Sequence, residues 1–160
     1  MIQYAYYNTP LGTVKIGYAE DAIVFCKIVD SQESKNLPCP LTDLANKQLE
    51  EYFTGLRRKF DLPLCPSGTA FQQAVWLALS NIPYGETRSY AQIARSIGRE
   101  TACRAVGNAC NRNPIWLFIP CHRVLGARGN LTGYAGGLSL KKELLKLEAA
   151  EGLKDFLAKT

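Results

Sequence analysis

The segment Leu62-Pro63-Leu64-Cys65-Pro66-Ser67-Gly68 most constrains this chain, because two prolines and a glycine within seven residues interrupt helix and strand alike. Before it, apolar residues alternate; after it, they recur at helical spacing. The change predicts two domains, residues 1–66 and 67–160, the first α/β and the second mainly α. In the first, Ile2, Tyr4 and Tyr6 alternate up to the turn Asn8-Thr9-Pro10-Leu11-Gly12, and Val14, Ile16 and Tyr18 alternate beyond it. That is a β-hairpin, and Ala22 to Val29 reads as a third strand of an antiparallel meander. Leu41, Leu44, Ala45, Leu49, Tyr52 and Phe53 then mark a helix packed on the sheet, with Gly55 as its terminator.

In the second domain, Thr69-Ala70-Phe71-Gln72 is a capping box, and Phe71, Val75, Ala78 and Leu79 form one apolar face of the helix it opens. Tyr90, Ile93, Ala94 and Ile97 predict a short helix closed by Gly98. Ala102, Ala105, Val106 and Ala109 predict another after a turn of three or four residues. Together they read as helix-turn-helix. Opposite its apolar face, the second helix presents Arg104, Asn108 and Asn111, with Gly107 beside them. A face so polar and low in profile suits close approach to a nucleic-acid groove.

Charge points the same way. Residues 1–66 hold seven Lys and Arg against eight Asp and Glu, whereas residues 86–130 hold seven arginines, no lysine and only Glu86 and Glu100. The planar guanidinium donates two parallel hydrogen bonds to phosphate, so an all-arginine segment favours a polyanion over mere solubility. No apolar stretch approaches the roughly 18 residues of a membrane span. Met1-Ile2-Gln3-Tyr4 also lacks the basic-then-apolar layout of a secretory signal. The expected location is the cytoplasm, or the nucleus in a eukaryote.

Ile115-Trp116-Leu117-Phe118-Ile119, bounded by Asn113-Pro114 and Pro120, reads as a core strand that ends in Cys121-His122-Arg123-Val124. Of six cysteines (Cys26, Cys39, Cys65, Cys103, Cys110, Cys121), only Cys121 adjoins the single histidine, and no C-x-x-C pair offers zinc a site. A free thiol with its pKa of roughly 8.5 is only a few per cent thiolate at neutral pH, and a histidine that takes the proton raises that fraction. The alternative is a buried packing thiol. In the last helix Glu148 falls in the arc of Leu140, Leu144, Leu145 and Leu147. There it either orients His122 through one ring nitrogen or, with Lys141 in the same arc, stays partly exposed.

These residues resemble one family: the DNA alkyltransferases (methylated-DNA protein-cysteine methyltransferases) that move the alkyl group of 6-O-alkylguanine onto their own cysteine. The likeness runs through Phe60-Asp61-Leu62-Pro63-Leu64, Gly68-Thr69-Ala70-Phe71-Gln72, Ile82-Pro83-Tyr84-Gly85-Glu86-Thr87 and Arg104-Ala105-Val106-Gly107. It is most specific at Ile119-Pro120-Cys121-His122-Arg123-Val124, Gly133-Tyr134 and Gly136-Gly137-Leu138. The resemblance implies a ribonuclease-H-like first domain and a winged-helix-like second domain that binds double-stranded DNA through the minor groove. Arg104, Ala105, Gly107 and Asn108 would lie on the DNA, with Arg104 filling the gap left by a flipped nucleotide and Tyr90 helping to rotate it out. Cys121 would accept the alkyl group, His122 would take its proton through a water, Glu148 would orient His122, and Asn113 would hold the turn near the thiol. Tyr90, Cys121, Val124, Trp116, Tyr134, Ala135 and Gly136 would line the base pocket.

The implied reaction is single-turnover repair of 6-O-alkylguanine, and of 4-O-alkylthymine, by a monomer with neither metal nor cofactor. Trp116 stands where the family often has proline, and Ala135 where it often has a polar residue. Both bear on the adduct that fits. A lesion sensor of similar fold would lack the acceptor cysteine, and a Cys-His hydrolase would need oxyanion donors that the sequence does not identify.

Overall fold

The computed structural model describes residues 1–129, 133, 134 and 136–148. They form two units, Met1–Ser67 with Pro114–Phe118, and Gly68–Asn113 with the described residues from Ile119 onward.

In the first unit β1 (Gln3–Thr9), β2 (Gly12–Ala19) and β3 (Ala22–Val29) make the expected antiparallel meander, in the order β1-β2-β3. The turns are tight: Thr9 pairs with Gly12, and Ala19 with Ala22. Gly12 takes a φ of +120° that a side chain would resist. One face of the meander buries Ala5, Val14, Ile16, Ile23 and Cys26. Helix α1 (Pro40–Phe53) carries proline in its first turn, where the missing N–H costs nothing, and buries Ala45, Leu49 and Tyr52. The Gln48 amide fastens the chain after α1 by exchanging hydrogen bonds with the Asp61 backbone, at 2.9 and 3.1 Å.

The open edge of β3 is covered by single residues from two distant segments. Ile23 bridges Leu64, and Cys26 bridges Ile115. Here the expected strand over Ile115–Ile119 gives way to one bridge followed by turns. The Trp116 N–H donates to the Cys26 carbonyl at 2.7 Å, after which the Phe118 N–H donates back to Trp116 itself at 2.8 Å. That bond forces Leu117 to a φ of +73°, a strained bend for a side chain that is 2% exposed. The bend turns the chain away from β3 after this one bridged residue. A single cut after residue 66 therefore leaves out the return of Pro114–Phe118 to the sheet.

The second unit is helical. Its α2 (Ala70–Ser80) opens on the predicted box, Thr69 and Gln72 each bonding the other's backbone. The Trp76 indole then donates to the Ala109 carbonyl at 2.9 Å. A short strand β4 (Arg88–Ser89) runs into α3 (Tyr90–Ser96), which Ser89 caps, and α4 (Cys103–Asn111) follows. The connection between the two helices, Ile97–Ala102, is six residues rather than three or four. Gly98 at φ +73° ends α3, and the Ala102 N–H then closes a further turn onto Arg99. Strand β5 (Val124–Leu125) pairs in parallel with β4, and α5 (Leu138–Glu148) lays Lys141, Leu144, Leu145 and Glu148 inward.

Candidate active site

Cys121 is fixed by turns on both sides. Pro120 sits at φ −82° and ψ 64°, so the Cys121 N–H bonds the Ile119 carbonyl in an inverse γ-turn. Cys121–Arg123 then forms one turn of 3₁₀ helix that leads directly into β5. The thiol is 3% exposed. Asn113, wholly buried, donates through its amide nitrogen both to the Ile119 carbonyl at 2.9 Å and to Cys121 Sγ at 3.2 Å. One side chain thus holds the turn and touches the sulfur.

His122 is also wholly buried, and its Nε2 lies 2.7 Å from Glu148 Oε2. Its Nδ1 has no hydrogen-bond partner among the described residues, so the ring is anchored through one nitrogen while the other stays available to a proton. Glu148 is buried, which decides between the two positions open to it in the sequence. Arg123 completes the arrangement. Its Nε and one terminal nitrogen clasp the two Glu148 oxygens at 2.7 and 3.0 Å, and the other reaches the Ile82 carbonyl at 2.7 Å. Burial pushes the Glu148 carboxyl up, but the charges and hydrogen bonds of His122 and Arg123 outweigh it, bringing the group down to about 2. Glu148 is therefore a fixed anion that orients the imidazole and does not store the proton.

Burial raises the Cys121 thiol above its ordinary value; the Asn113 hydrogen bond, the Lys141 charge and the Tyr134 hydroxyl pull the other way without cancelling it. At rest the sulfur carries its proton, and reaction needs a base. Lys141, fully buried, donates to the Gly133 carbonyl at 3.3 Å, and its Nζ lies 6.0 Å from the centre of the Tyr90 ring. A second buried thiol, Cys110 on α4, is near enough to interact with the charges of both Cys121 and Lys141.

Of the residues expected on DNA, Arg104, Ala105 and Asn108 are exposed on α4, and Gly107 is half-buried. A methyl group added at Gly107 would meet nothing closer than Tyr90 Cε1 at 3.9 Å, so packing within the protein does not demand glycine there. Arg95, Arg99 and Arg112 are exposed as well. Two arginines counted with them have other duties: Arg123 is buried on Glu148, and Arg88 pairs with Glu86. Among the pocket candidates Val124 and Tyr134 are buried, Tyr90 and Gly136 are half-buried, and Ala135 lies outside the described residues. Trp116 belongs to the first unit, where the Lys27 ammonium stands 5.5 Å from its ring centre.

Sequence reasoning missed Arg123 as the clamp on Glu148, although its place beside His122 was a signal. It also undervalued Lys141, two helical turns before Glu148 on the same face.

Two family models match. Residues 70–150 fit the DNA-binding domain of 6-O-methylguanine DNA methyltransferase, and residues 2–66 fit the ribonuclease-like domain of that protein. A methylated-DNA–protein-cysteine methyltransferase from Methanosarcina acetivorans is 45% identical over 153 residues, which is 92% of this chain and 98% of that one. Among solved structures, an O6-methylguanine methyltransferase from Mycobacterium tuberculosis superposes with a TM-score of 0.85 at 40% identity, covering 98% of this chain and 99% of the other. A structure from the same organism solved in complex with DNA gives 0.84 at 44% identity, with 91% of each chain covered.

Proposed function

The chain belongs to the 6-O-methylguanine DNA methyltransferase family, and from that premise we propose that it repairs DNA by moving the alkyl group of 6-O-alkylguanine, and of 4-O-alkylthymine, onto Cys121. What carries this reading is one geometry: a buried thiol held by Asn113, followed at once by an imidazole whose far nitrogen is fixed on a permanently ionised carboxylate.

The duplex would be held by the exposed face of α4, where Arg104 and Asn108 offer donors and Ala105 and Gly107 keep the surface low. The 6-oxygen of guanine lies inside the base stack, so its alkyl carbon becomes open to in-line attack only when the nucleotide is flipped. Arg104 would fill the vacated place, and Tyr90 would crowd the flanking phosphate. The flipped base would rest against the carbonyls of Cys121 and Val124, beside Tyr134 and Gly136. Ala135 would bear on the size of adduct accepted.

His122 takes the Cys121 proton through a water. The sulfur lone pair then forms the S–C bond as the C–O bond breaks, the electrons pass to the base oxygen, and one proton returns to leave neutral guanine. The thioether is a poor leaving group, so each molecule acts once, without metal or cofactor. We read the first unit as ribonuclease-H-like, the second as winged-helix-like, and the protein as a cytoplasmic monomer. No described helix is long and apolar enough to cross a membrane.

The test is to incubate the protein with duplex DNA containing 6-O-methylguanine and weigh the peptide that holds Cys121. One added methyl per protein is expected; repeated turnover, or methyl on another cysteine, overturns the reading.

A further inference from the structure

Between α2 and α3 the second unit carries a groove of about 650 Å³ that its described residues leave open, and Ala74, Leu77, Ala78, Ile93 and Ile97 supply the apolar lining. The core face of α2 is made by Val75, Trp76 and Leu79. Ala74, Leu77, Ala78 and Asn81 recur at i, i+3, i+4 and i+7 on the opposite side, as a second stripe that faces the groove. Leu77 is 67% exposed there. A lone exposed leucine needs no explanation, but one set in an apolar stripe over an open groove marks a contact surface.

The end of α5 is fastened beside this groove. The Tyr84 hydroxyl donates to the Leu147 carbonyl at 3.3 Å, and a methyl group added at Gly85 would stand 3.6 Å from the Glu148 carbonyl oxygen. Arg123 ties the Glu148 carboxylate to the carbonyl of Ile82, which itself lines the groove. The chain therefore leaves Glu148 at the turn that closes α2. Residues 149–160 follow, and among them Leu153, Phe156 and Leu157 recur at i, i+3 and i+4, the spacing of an apolar helical face. Leu153 is five residues past Glu148, a reach of roughly 16 Å at about 3.3 Å per residue, against about 11 Å for the stripe from Ala74 to Asn81.

We propose that the groove between α2 and α3 is the docking site of this chain's own residues 149–160, which seat Leu153, Phe156 and Leu157 on its apolar lining and so pin the end of α5 that carries Glu148. The tether favours this occupant over a separate partner, because a linked segment meets the groove at an effective concentration that a free peptide would have to match in the millimolar range. The docked segment would cover Leu77 and close the stripe on α2. Its consequence falls on the carboxylate that holds His122, but the docking itself does not depend on the chemistry assigned to Cys121.

The experiment places the photoreactive p-benzoylphenylalanine at Phe156 of the full chain, irradiates it without DNA and maps the adducts by peptide mass. Adducts within one chain, on residues 74–82 or 92–97, are expected. Leu77→Glu in the same chain should lower their yield about tenfold, since the burial of one leucine is worth at least that factor. Leu153→Glu removes the contact from the other side and should give the same loss, which decides the matter if the Leu77 variant does not fold. An equal mixture of ordinary and isotope-labelled chains separates the occupants: adducts that join the two kinds of chain place the segment on a second copy and overturn the proposal. Adducts on any other face, or none, overturn it as well. Hydrogen exchange tests the pinning, because amides at a helix end exchange with the free energy of local opening. In either variant the amides of Leu144 to Glu148 should exchange about tenfold faster than in the parent, and unchanged exchange overturns the pinning of α5 even where the adducts form.

Discussion

Cys26 and Cys121 are both buried thiols, yet the interiors around them differ in kind. Cys26 lies on the sheet of the first unit among Ile16, Ile23 and Val14, wholly enclosed, and burial alone drives its thiol far up. Cys121 suffers the same desolvation but sits with Asn113, Tyr134 and Lys141, each of which favours the thiolate. Polar groups buried beside Cys121 offset part of what burial does to its sulfur, and Cys26 has no such offset. The contrast extends to the whole of each unit. The buried polar side chains of the first, Thr42 and Gln48, are neutral and serve the backbone and turns around α1. Those of the second include His122, Arg123, Lys141 and Glu148, all ionisable and all within reach of one reaction. Burying so many charges lowers stability unless each is paired, which explains the closely made clamp on Glu148.

The sharpest way to break this contrast is to exchange the sulfurs. Cys121→Ser should abolish methyl acceptance entirely in a labelled-DNA assay, whereas Cys26→Ala should transfer at the parental rate and cost only about 1–2 kcal/mol in denaturant unfolding, as small core truncations do. Next in size is removal of a buried polar partner from each unit. Glu148→Gln should destabilise by about 3–5 kcal/mol, because Arg123 is left buried without its counter-charge. It should also slow transfer and raise the pH midpoint of Cys121 alkylation. Gln48→Ala, which leaves only the Asp61 backbone unsatisfied, should cost about 1–3 kcal/mol in chemical denaturation and leave transfer alone.

A smaller effect separates DNA handling from chemistry. Arg104→Ala should weaken repair in duplex about tenfold, the worth of one charge-assisted hydrogen bond of about 1.5 kcal/mol, while attack on the free alkylated base is unaffected. Equal losses on both substrates would remove Arg104 from the gap-filling role.

The smallest difference is in acid. Glu148 is brought from an ordinary 4.5 to about 2 in the folded protein, so the unfolded chain binds the extra proton between these values. Its stabilising effect is complete above about pH 4.5 and fades as pH falls towards 2. Thermal midpoints measured across that interval should drop more steeply for the parent than for Glu148→Gln. Lys141 acts with the same slope in a higher window: its value falls from 10.5 to about 8 on folding, so its unfavourable burial is relieved as pH rises from about 8 towards 10.5.

Local signals carried the sequence reading a long way. Alternation located the first two strands and the apolar run Ala22–Val29 the third, and the Thr69/Gln72 pair located the start of α2, because hairpins and capping boxes are encoded within a few residues. The Cys121–His122 pair was legible from adjacency, and Glu148 from its place in an apolar arc. What failed was long-range. A five-residue apolar run does not say how much of a sheet edge it will follow, and β3, about ninety positions earlier, receives it only at Cys26. The Arg123 clamp was hidden for a similar reason: an arginine in a basic segment looks solvent-facing until a carboxylate 25 residues on is folded against it.

The return of Pro114–Phe118 to β3 has a practical consequence for anyone who would dissect this protein by gene truncation. A fragment ending at the proline-rich joint would expose β3 around Cys26 as a raw edge, a template for joining other chains. The complementary fragment would keep its reactive centre but trail Ile115, Trp116 and Leu117 with nothing to cover them. Two genes cut at that joint would thus yield two sticky products, even though the polypeptide between them is a natural seam.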